Sequence, residues 1–360
     1  MELELLTGLQ KYFYSNLTIL KKLQQLSPEE ILSFDLKDFL NSGLKEKDAD
    51  FIVSREVLRE GEMELKKAEK ENVLVISKYS QEFPSLLREI DYCPFVIWVK
   101  GKKDTLSKPA LSIVGTRNCS SYGKLVADSL SSELSKRGLV IVSGLARGID
   151  TIVHSSAIEQ GETIAVLGSG VDMIYPSENK RIASRIEERG AIISEFPLGT
   201  KALPYHFPMR NRIISGLSFL TIVVEAGERS GALITAKWAL EQGRDVLAVP
   251  GPITSEGSKG TNFLIKQGAK PVLSWEDVWE EIPSFLKKDL KEKLEEGKIE
   301  LSKEEERILS LIPLESEITI DELSLSSGIP VYEIFPVLFQ LELKGLIVEN
   351  PGKSYQKRIR

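Results

Sequence analysis

Six short apolar runs, alternating with amphipathic stretches that mostly stop on a glycine, constrain this chain more than any other feature. The runs are Leu111–Val114, Leu139–Val142, Thr163–Leu167, Ala191–Ile193, Leu220–Val224 and Asp245–Val249. They are rich in Val, Ile and Leu, as strands buried on both faces must be. The stretches between them run about 8 to 17 residues with helical periodicity. Gly138, Gly161, Gly190, Gly216, Gly243 and Gly268 close most of those stretches, at the position where a helix ends best on glycine. Strand alternating with helix predicts an α/β domain whose parallel sheet is covered on both faces. Val73–Ile76 and Phe95–Val99 extend that sheet at its start.

The flanks read differently. Residues 1–68 predict a small helical domain, rich in Leu, Lys and Glu and broken at Ser27-Pro28 and Asn41-Ser42-Gly43. Residues 69–282 form the sheet domain, and 283–300 a charged linker. Residues 301–360 open with Ser302 and Glu305, spaced as a capping box. Thr319–Ser324, a turn at Ser327-Gly328 and a helix over Pro330–Lys344 follow. Leu346–Glu349 and Ser354–Arg358 then flank a turn at Asn350-Pro351-Gly352. Helices followed by a two-stranded wing predict a winged-helix domain.

Composition narrows the function classes. No run of 18 apolar residues predicts a membrane span, and no basic-then-apolar leader opens the chain, so a cytoplasmic location is expected. Two cysteines and two histidines make neither a disulfide framework nor a zinc set. No metal and no cofactor is expected. The net charge is −6, and residues 71–282 hold 24 basic and 24 acidic residues. A polyanion site must therefore be a local cluster, not a global field.

Ligands of open parallel sheets bind beyond the carboxyl ends of the strands. The loops there are 115–118, 143–150, 168–172, 225–231 and 250–252, dense in glycine and carrying arginine in three cases. Ser120 or Ser121, and Ser230, are placed to cap the helices that follow. In PYHFPMRNRIISG, Pro208 suits a first helical turn, which puts Arg210, Asn211 and Arg212 near that helix's start. With Arg117, Arg147 and Lys180 or Arg181, they predict a positive pocket whose natural counterpart is phosphate. Gly115, Thr116, Phe207 and Ser230 adjoin it. An unpaired base has Tyr122, Phe207 or an Arg plane to lie against. His154 is read as a packed mid-helix residue, His206 as a loop organiser, and Tyr175, Pro176 and Trp238 as packing. Cys119 has no surrounding motif of a nucleophile. There is no G-x-G-x-x-G after the first strand, no G-x-x-x-x-G-K-[ST] and no G-x-S-x-G. Asp150, Asp172, Glu195 and Glu225 fall near strand ends, so spacing alone leaves an acid-assisted hydrolase open.

The ordered set SIVGTR (112–117), SGLARGID (143–150), GSGVDMIYP (168–176), ISEFPLG (193–199), FPMRNRIISGLS (207–218), VVEAGERSGALITAKWALEQGRDVLAVPG (223–251) and GTNFLIKQGAKP (260–271) resembles the DNA-processing protein A family (DprA/Smf). The resemblance covers about residues 72–282. It implies a Rossmann-like sheet core between an N-terminal helical domain and a C-terminal winged-helix domain. It also implies a single-stranded DNA-binding protein that is not an enzyme. Such proteins protect incoming strands in natural transformation, help displace single-strand-binding protein and load RecA, as homodimers joined through the Rossmann-like domain. Carried over by motif, Arg117, Gly168, Ser169, Gly170, Arg210 and Arg212 are the DNA contacts, with Asn211 between the two arginines and Lys180 of PSENK beside them. The dimer surface falls around 260–271. Two alternatives remain. One is a nucleotide-binding or nucleotide-hydrolysing Rossmann-like protein: a related group hydrolyses nucleoside monophosphates through a PGGxGTxxE loop, where this chain has EAGERSGALIT. A DNA-bound regulator led by the winged helix is the other.

Overall fold

The computed structural model describes residues 1–287, 290, 301–313, 317–350 and 353–357. Most of the 283–300 segment read as a linker lies outside them, as do Pro351-Gly352 of the wing turn and Arg358 at the end of its second strand. The chain divides into two compact units, Met1–Leu290 and Lys291–Arg360.

The first unit is built on a nine-stranded sheet. Its strands are β1 (Leu74–Ser77), β2 (Val96–Gly101), β3 (Ala110–Val114), β4 (Val140–Ser143), β5 (Thr163–Val166), β6 (Ala191–Ser194), β7 (Leu220–Val223), β8 (Asp245–Ala248) and β9 (Lys270–Pro271). They lie in the order β1-β2-β6-β5-β4-β3-β7-β8-β9. From β6 to β9 every pairing is parallel, while β2 runs antiparallel to β6 and β1 to β2. The six runs read from sequence appear within a residue of their expected bounds. β9 was not anticipated, because its two residues are exposed and form no apolar run.

The alternation along each strand explains why those runs are apolar throughout. Leu111 and Ile113 of β3 enter one core with Ala127, Leu130, Leu134 and Val153 of the helices Ser121–Lys136 and Ile149–Gln160. Ala110 and Val114 enter another, with Ile213 and Ile214 of helix His206–Gly216 and Ala232, Ala236 and Ala239 of helix Gly231–Glu241. Both faces are buried, so neither parity is free to be polar. In β3 and β7 the polar exceptions pair with each other: Ser112 and Thr221 share a hydrogen bond of 2.8 Å.

Six helices precede the sheet, from Glu2–Phe13 to Glu56–Lys70. Ser27 and Asp35 open two of them with capping boxes. Helices Glu2–Phe13 and Glu56–Lys70 pack backbone to backbone. A Cβ on Gly8 would lie 2.0 Å from the Val57 carbonyl oxygen, and one on Gly61 1.8 Å from that of Glu4. These helices share one core with Val96, Trp98, Ala165 and Ile192 of the sheet.

The second unit has helices Lys303–Leu311, Ile320–Ser327 and Val331–Leu343. Its strands β10 (Ile318–Thr319), β11 (Ile347–Asn350) and β12 (Ser354–Lys357) form an antiparallel sheet in the order β10-β12-β11. Ile308, Leu323, Ile334, Leu338, Leu341, Ile347 and Tyr355 fill its core. This is the winged-helix arrangement, and the Ser302–Glu305 capping box opens its first helix as anticipated.

Candidate nucleic-acid interface

β3 has β4 on one side and β7 on the other. The chain builds outward from β3 to β6 and only then returns to add β7 at β3's free edge. Loops leaving β3 and β7 therefore diverge, which opens a crevice at the carboxyl ends of the strands. A cavity of about 540 Å³ lies there, lined by Gly115–Arg117, Ala146, Asp150, Tyr175, Phe207, Arg210, Asn211 and Ser230–Ala232 among others.

Local bonding fixes the loop that carries Arg117. The Thr116 amide donates to the Glu225 carbonyl at 2.8 Å. The Glu225 carboxylate accepts from both the amide and the hydroxyl of Ser120, each at 3.0 Å. Ser120 in turn caps the next helix by accepting from the Gly123 amide. Beneath the loop, Gly148 sits at φ +77° and a Cβ there would lie 2.5 Å from the Arg117 carbonyl oxygen. Only glycine takes that conformation and that contact without strain.

The lining combines charge, an aromatic face and an open helix start. Arg117 is exposed, with its guanidinium 5.2 Å from the Phe207 ring centroid. Tyr175 leans on the same ring at 5.8 Å. Arg210 forms part of the cavity wall but is 4% exposed. Its guanidinium donates to the Gly144 carbonyl at 2.6 Å and also to that of Val166, so it ties together the ends of β4 and β5. Burial pulls the Arg210 pKa down to about 10, against the opposing pull of Asp150. Burial likewise raises the Asp150 carboxyl, with Arg210 acting in the other direction. Asn211 donates to the Gly231 carbonyl at 3.2 Å. Ser230 caps helix Gly231–Glu241 by accepting from the Ala232 amide. A Cβ on Gly231 would meet nothing within 4 Å, so the start of that helix faces open space. An open helix start favours an anion.

Several residues read from sequence as contacts lie elsewhere. Arg212 is 1% exposed and forms a bidentate pair with the buried Glu195. It also donates to the carbonyls of Tyr92 and Met209. In its present packing it is a core ion pair, not a surface for phosphate. Arg147 is exposed, paired with Glu178, and does not line the cavity. Lys180 is exposed at the start of helix Lys180–Arg189, also outside the lining. Gly168, Ser169 and Gly170 are buried, Gly168 against Phe207. A Cβ on Gly168 would lie 3.0 Å from the Phe207 ring, the Ser169 hydroxyl donates to the Met173 carbonyl, and the Gly170 amide donates to that of Thr200.

Other residues moved the opposite way. Tyr175, read as packing, is 52% exposed and lines the cavity. The signal was its place three residues after the 168–172 strand-end loop. Glu225, read as a possible acid, holds the Arg117 loop instead. Glu195 is taken by Arg212, and Asp172 accepts from the Gly199 amide. His154 and His206 are both buried, His154 bonded to Thr163 and His206 donating from Nδ1 to the Gly168 carbonyl at 3.1 Å. Among the described residues no group of three His, Cys, Asp or Glu could hold a metal ion. No helix among them is long and apolar enough to cross a membrane.

Residues 74–283 match the family model for DNA recombination-mediator protein A, and residues 292–353 that for the DprA winged-helix domain. The chain belongs to the DprA family. It is 48% identical over 214 residues to the DNA processing protein DprA of Bacillus subtilis, covering 59% of this chain and 71% of that one. It is 42% identical over 277 residues to the protein Smf of Escherichia coli, covering 75% and 73%. Among solved structures, DprA of Streptococcus pneumoniae superposes with a TM-score of 0.61 at 35% identity, covering 79% of this chain and 94% of that one. DprA of Helicobacter pylori, solved for its single-stranded DNA binding mode, gives 0.52 at 28% identity, covering 60% and 99%. The DprA-family match spans the strand-end loops from Gly115 to Ala232, so the cavity lies wholly within it.

Proposed function

We propose that this chain grips single-stranded DNA in the cavity between β3 and β7 and does no chemistry on it. The observation that carries this reading is the meeting of Arg117, the Phe207 and Tyr175 rings and the open start of helix Gly231–Glu241 at one switch point. Arg117 and the open helix start suit phosphate. The rings suit an unpaired base, whose stacking is worth about 1–3 kcal/mol. A recessed site of this size takes one flexible strand and turns away a stiff duplex. Kinship with a relative solved for its single-stranded DNA binding mode supports the same ligand. Arg210 is assigned the wall of the site, holding Gly144 and Val166 in place beside the DNA. The four strand-end carboxylates are each engaged by protein groups, which favours a binder over a nucleotide hydrolase.

From the same kinship we propose that the protein works in the cytoplasm as a homodimer, protects incoming strands, and hands them to RecA in place of single-strand-binding protein during transformation and recombination. Fluorescence anisotropy with single- and double-stranded oligonucleotides, with and without RecA, tests the core of this. Oligo-dT should bind far more tightly than duplex. Arg117→Ala combined with Gly231→Leu should weaken it at least tenfold, and Arg117→Ala alone should lower the log–log salt slope by about 0.7. Full affinity in the double variant, or release of ribose phosphate from nucleotides on chromatography, would refute the reading.

The winged helix is assigned a protein-contact role. Its third helix, Val331–Leu343, contains no Lys or Arg and exposes Tyr332, Phe335 and Phe339. A groove-reading helix needs basic and amide side chains there. Tyr332→Glu with Phe339→Glu should therefore leave duplex affinity in a gel shift unchanged. A marked loss would favour the regulator reading.

A further inference from the structure

We infer that the N-terminal helices are a clamp that positions the cavity wall carrying Phe207. This rests on reading the cavity as the DNA site. Residues 195–205 join β6 to helix His206–Gly216 as a loop. A loop has no ladder of its own, so its buried backbone groups need outside partners. The N-terminal helices supply them. Gln10, fully buried, donates to the Glu195 carbonyl at 3.2 Å and accepts from the Phe95 amide at 2.9 Å. On helix Glu56–Lys70, Glu64 accepts from the Leu198 amide at 2.8 Å and Lys67 donates to the Leu198 carbonyl at 2.8 Å. One helix therefore holds both backbone groups of one loop residue.

The contact continues to the cavity. Phe196 stacks on His206 with centroids 4.3 Å apart, and Tyr14 meets both rings edge-on at 5.6 and 5.8 Å. His206 is bonded to the Gly168 carbonyl, and its neighbour Phe207 is the ring beneath Arg117. The chemistry at Glu64 also points to positioning. This carboxylate is 2% exposed, and its second oxygen pairs with Lys11 at 3.2 Å. A buried ionic group is poor value for stability alone, since well-packed apolar residues often do as well or better. It does fix the register of the loop it bonds.

The test uses the full chain and oligo-dT carrying 2-aminopurine, whose fluorescence reports stacking. Glu64→Leu removes the acceptor and should weaken binding about tenfold, with loss of 2-aminopurine quenching even at saturation. Glu64→Gln keeps an acceptor oxygen and should bind like the parent. Phe39→Leu, in the core of the helices on a different element, should lower the melting temperature but keep affinity and quenching. If Glu64→Leu folds poorly, Lys67→Ala at an exposed site reads the same bond, with a smaller loss. Equal weakening by Glu64→Leu, Glu64→Gln and Phe39→Leu would mean general destabilisation and overturn the clamp. So would full affinity and quenching in both Glu64→Leu and Lys67→Ala while Arg117→Ala binds weakly. Full affinity in Arg117→Ala would instead sink the DNA reading beneath it.

Discussion

Arg210 and Arg212 are two residues apart and have different environments. A helix turns 100° per residue, so the two side chains leave it about 200° apart. Arg210 reaches the ends of β4 and β5 beside the cavity, and Arg212 reaches Glu195. The motif RNR was legible as a positive cluster, and its helical setting already forbade both arginines from sharing one face. His154 carries a consequence for pH. Thr163 gives its one hydroxyl proton to the Ile141 carbonyl at 2.6 Å, so His154 must donate to it from Nδ1. Burial first, then the charge of Arg210, holds the His154 pKa down to about 3. An unfolded histidine titrates near 6.5. Below that pH the unfolded chain takes up a proton that the native state refuses. Stability is therefore full above about 6.5 and falls toward pH 3, by at most about 1.4 kcal/mol per pH unit from this group. Asp150, raised by burial, works in the opposite sense, so a difference measurement is needed. The drop in thermal midpoint between pH 7.5 and pH 5 should be smaller in His154→Gln than in the parent. An equal drop would rule the histidine out as its source.

At the scale of elements, the parallel strands were legible because burial on both faces leaves no polar parity to blur the run. β9 was not, since two exposed residues carry no pattern. The winged helix was legible from its capping box and turns. The crossing of helices Glu2–Phe13 and Glu56–Lys70 was hidden, because a glycine inside a helix reads as a weak point and not as a contact. The distances reverse that reading. Gly61→Ala would drive a methyl into the Glu4 backbone and push the helices apart. It should cost about 1–3 kcal/mol, seen as a lower midpoint in chemical denaturation, whereas alanine at an ordinary helical glycine would stabilise. An unchanged or raised midpoint would show that the crossing relaxes without cost.

For the whole molecule, the sheet order decides where the site lies. The strand-end loops could be listed from sequence, but not which of their side chains face one another. Arg117, Tyr175, Phe207 and Gly231 come from four separate segments, and only the return of the chain from β6 to β7 brings them together. Arg147 and Lys180 carry the same charge yet stay outside the lining, although Ala146 and Asp150 beside Arg147 belong to it, because composition does not specify direction. The order of assembly has a temporal consequence. While the ribosome is still making β4, β5 and β6, the edge of β3 has no neighbour and Arg117 has nothing opposite it. A nascent chain therefore acquires the complete cavity only when the segment through Thr235 has been made and β7 has docked.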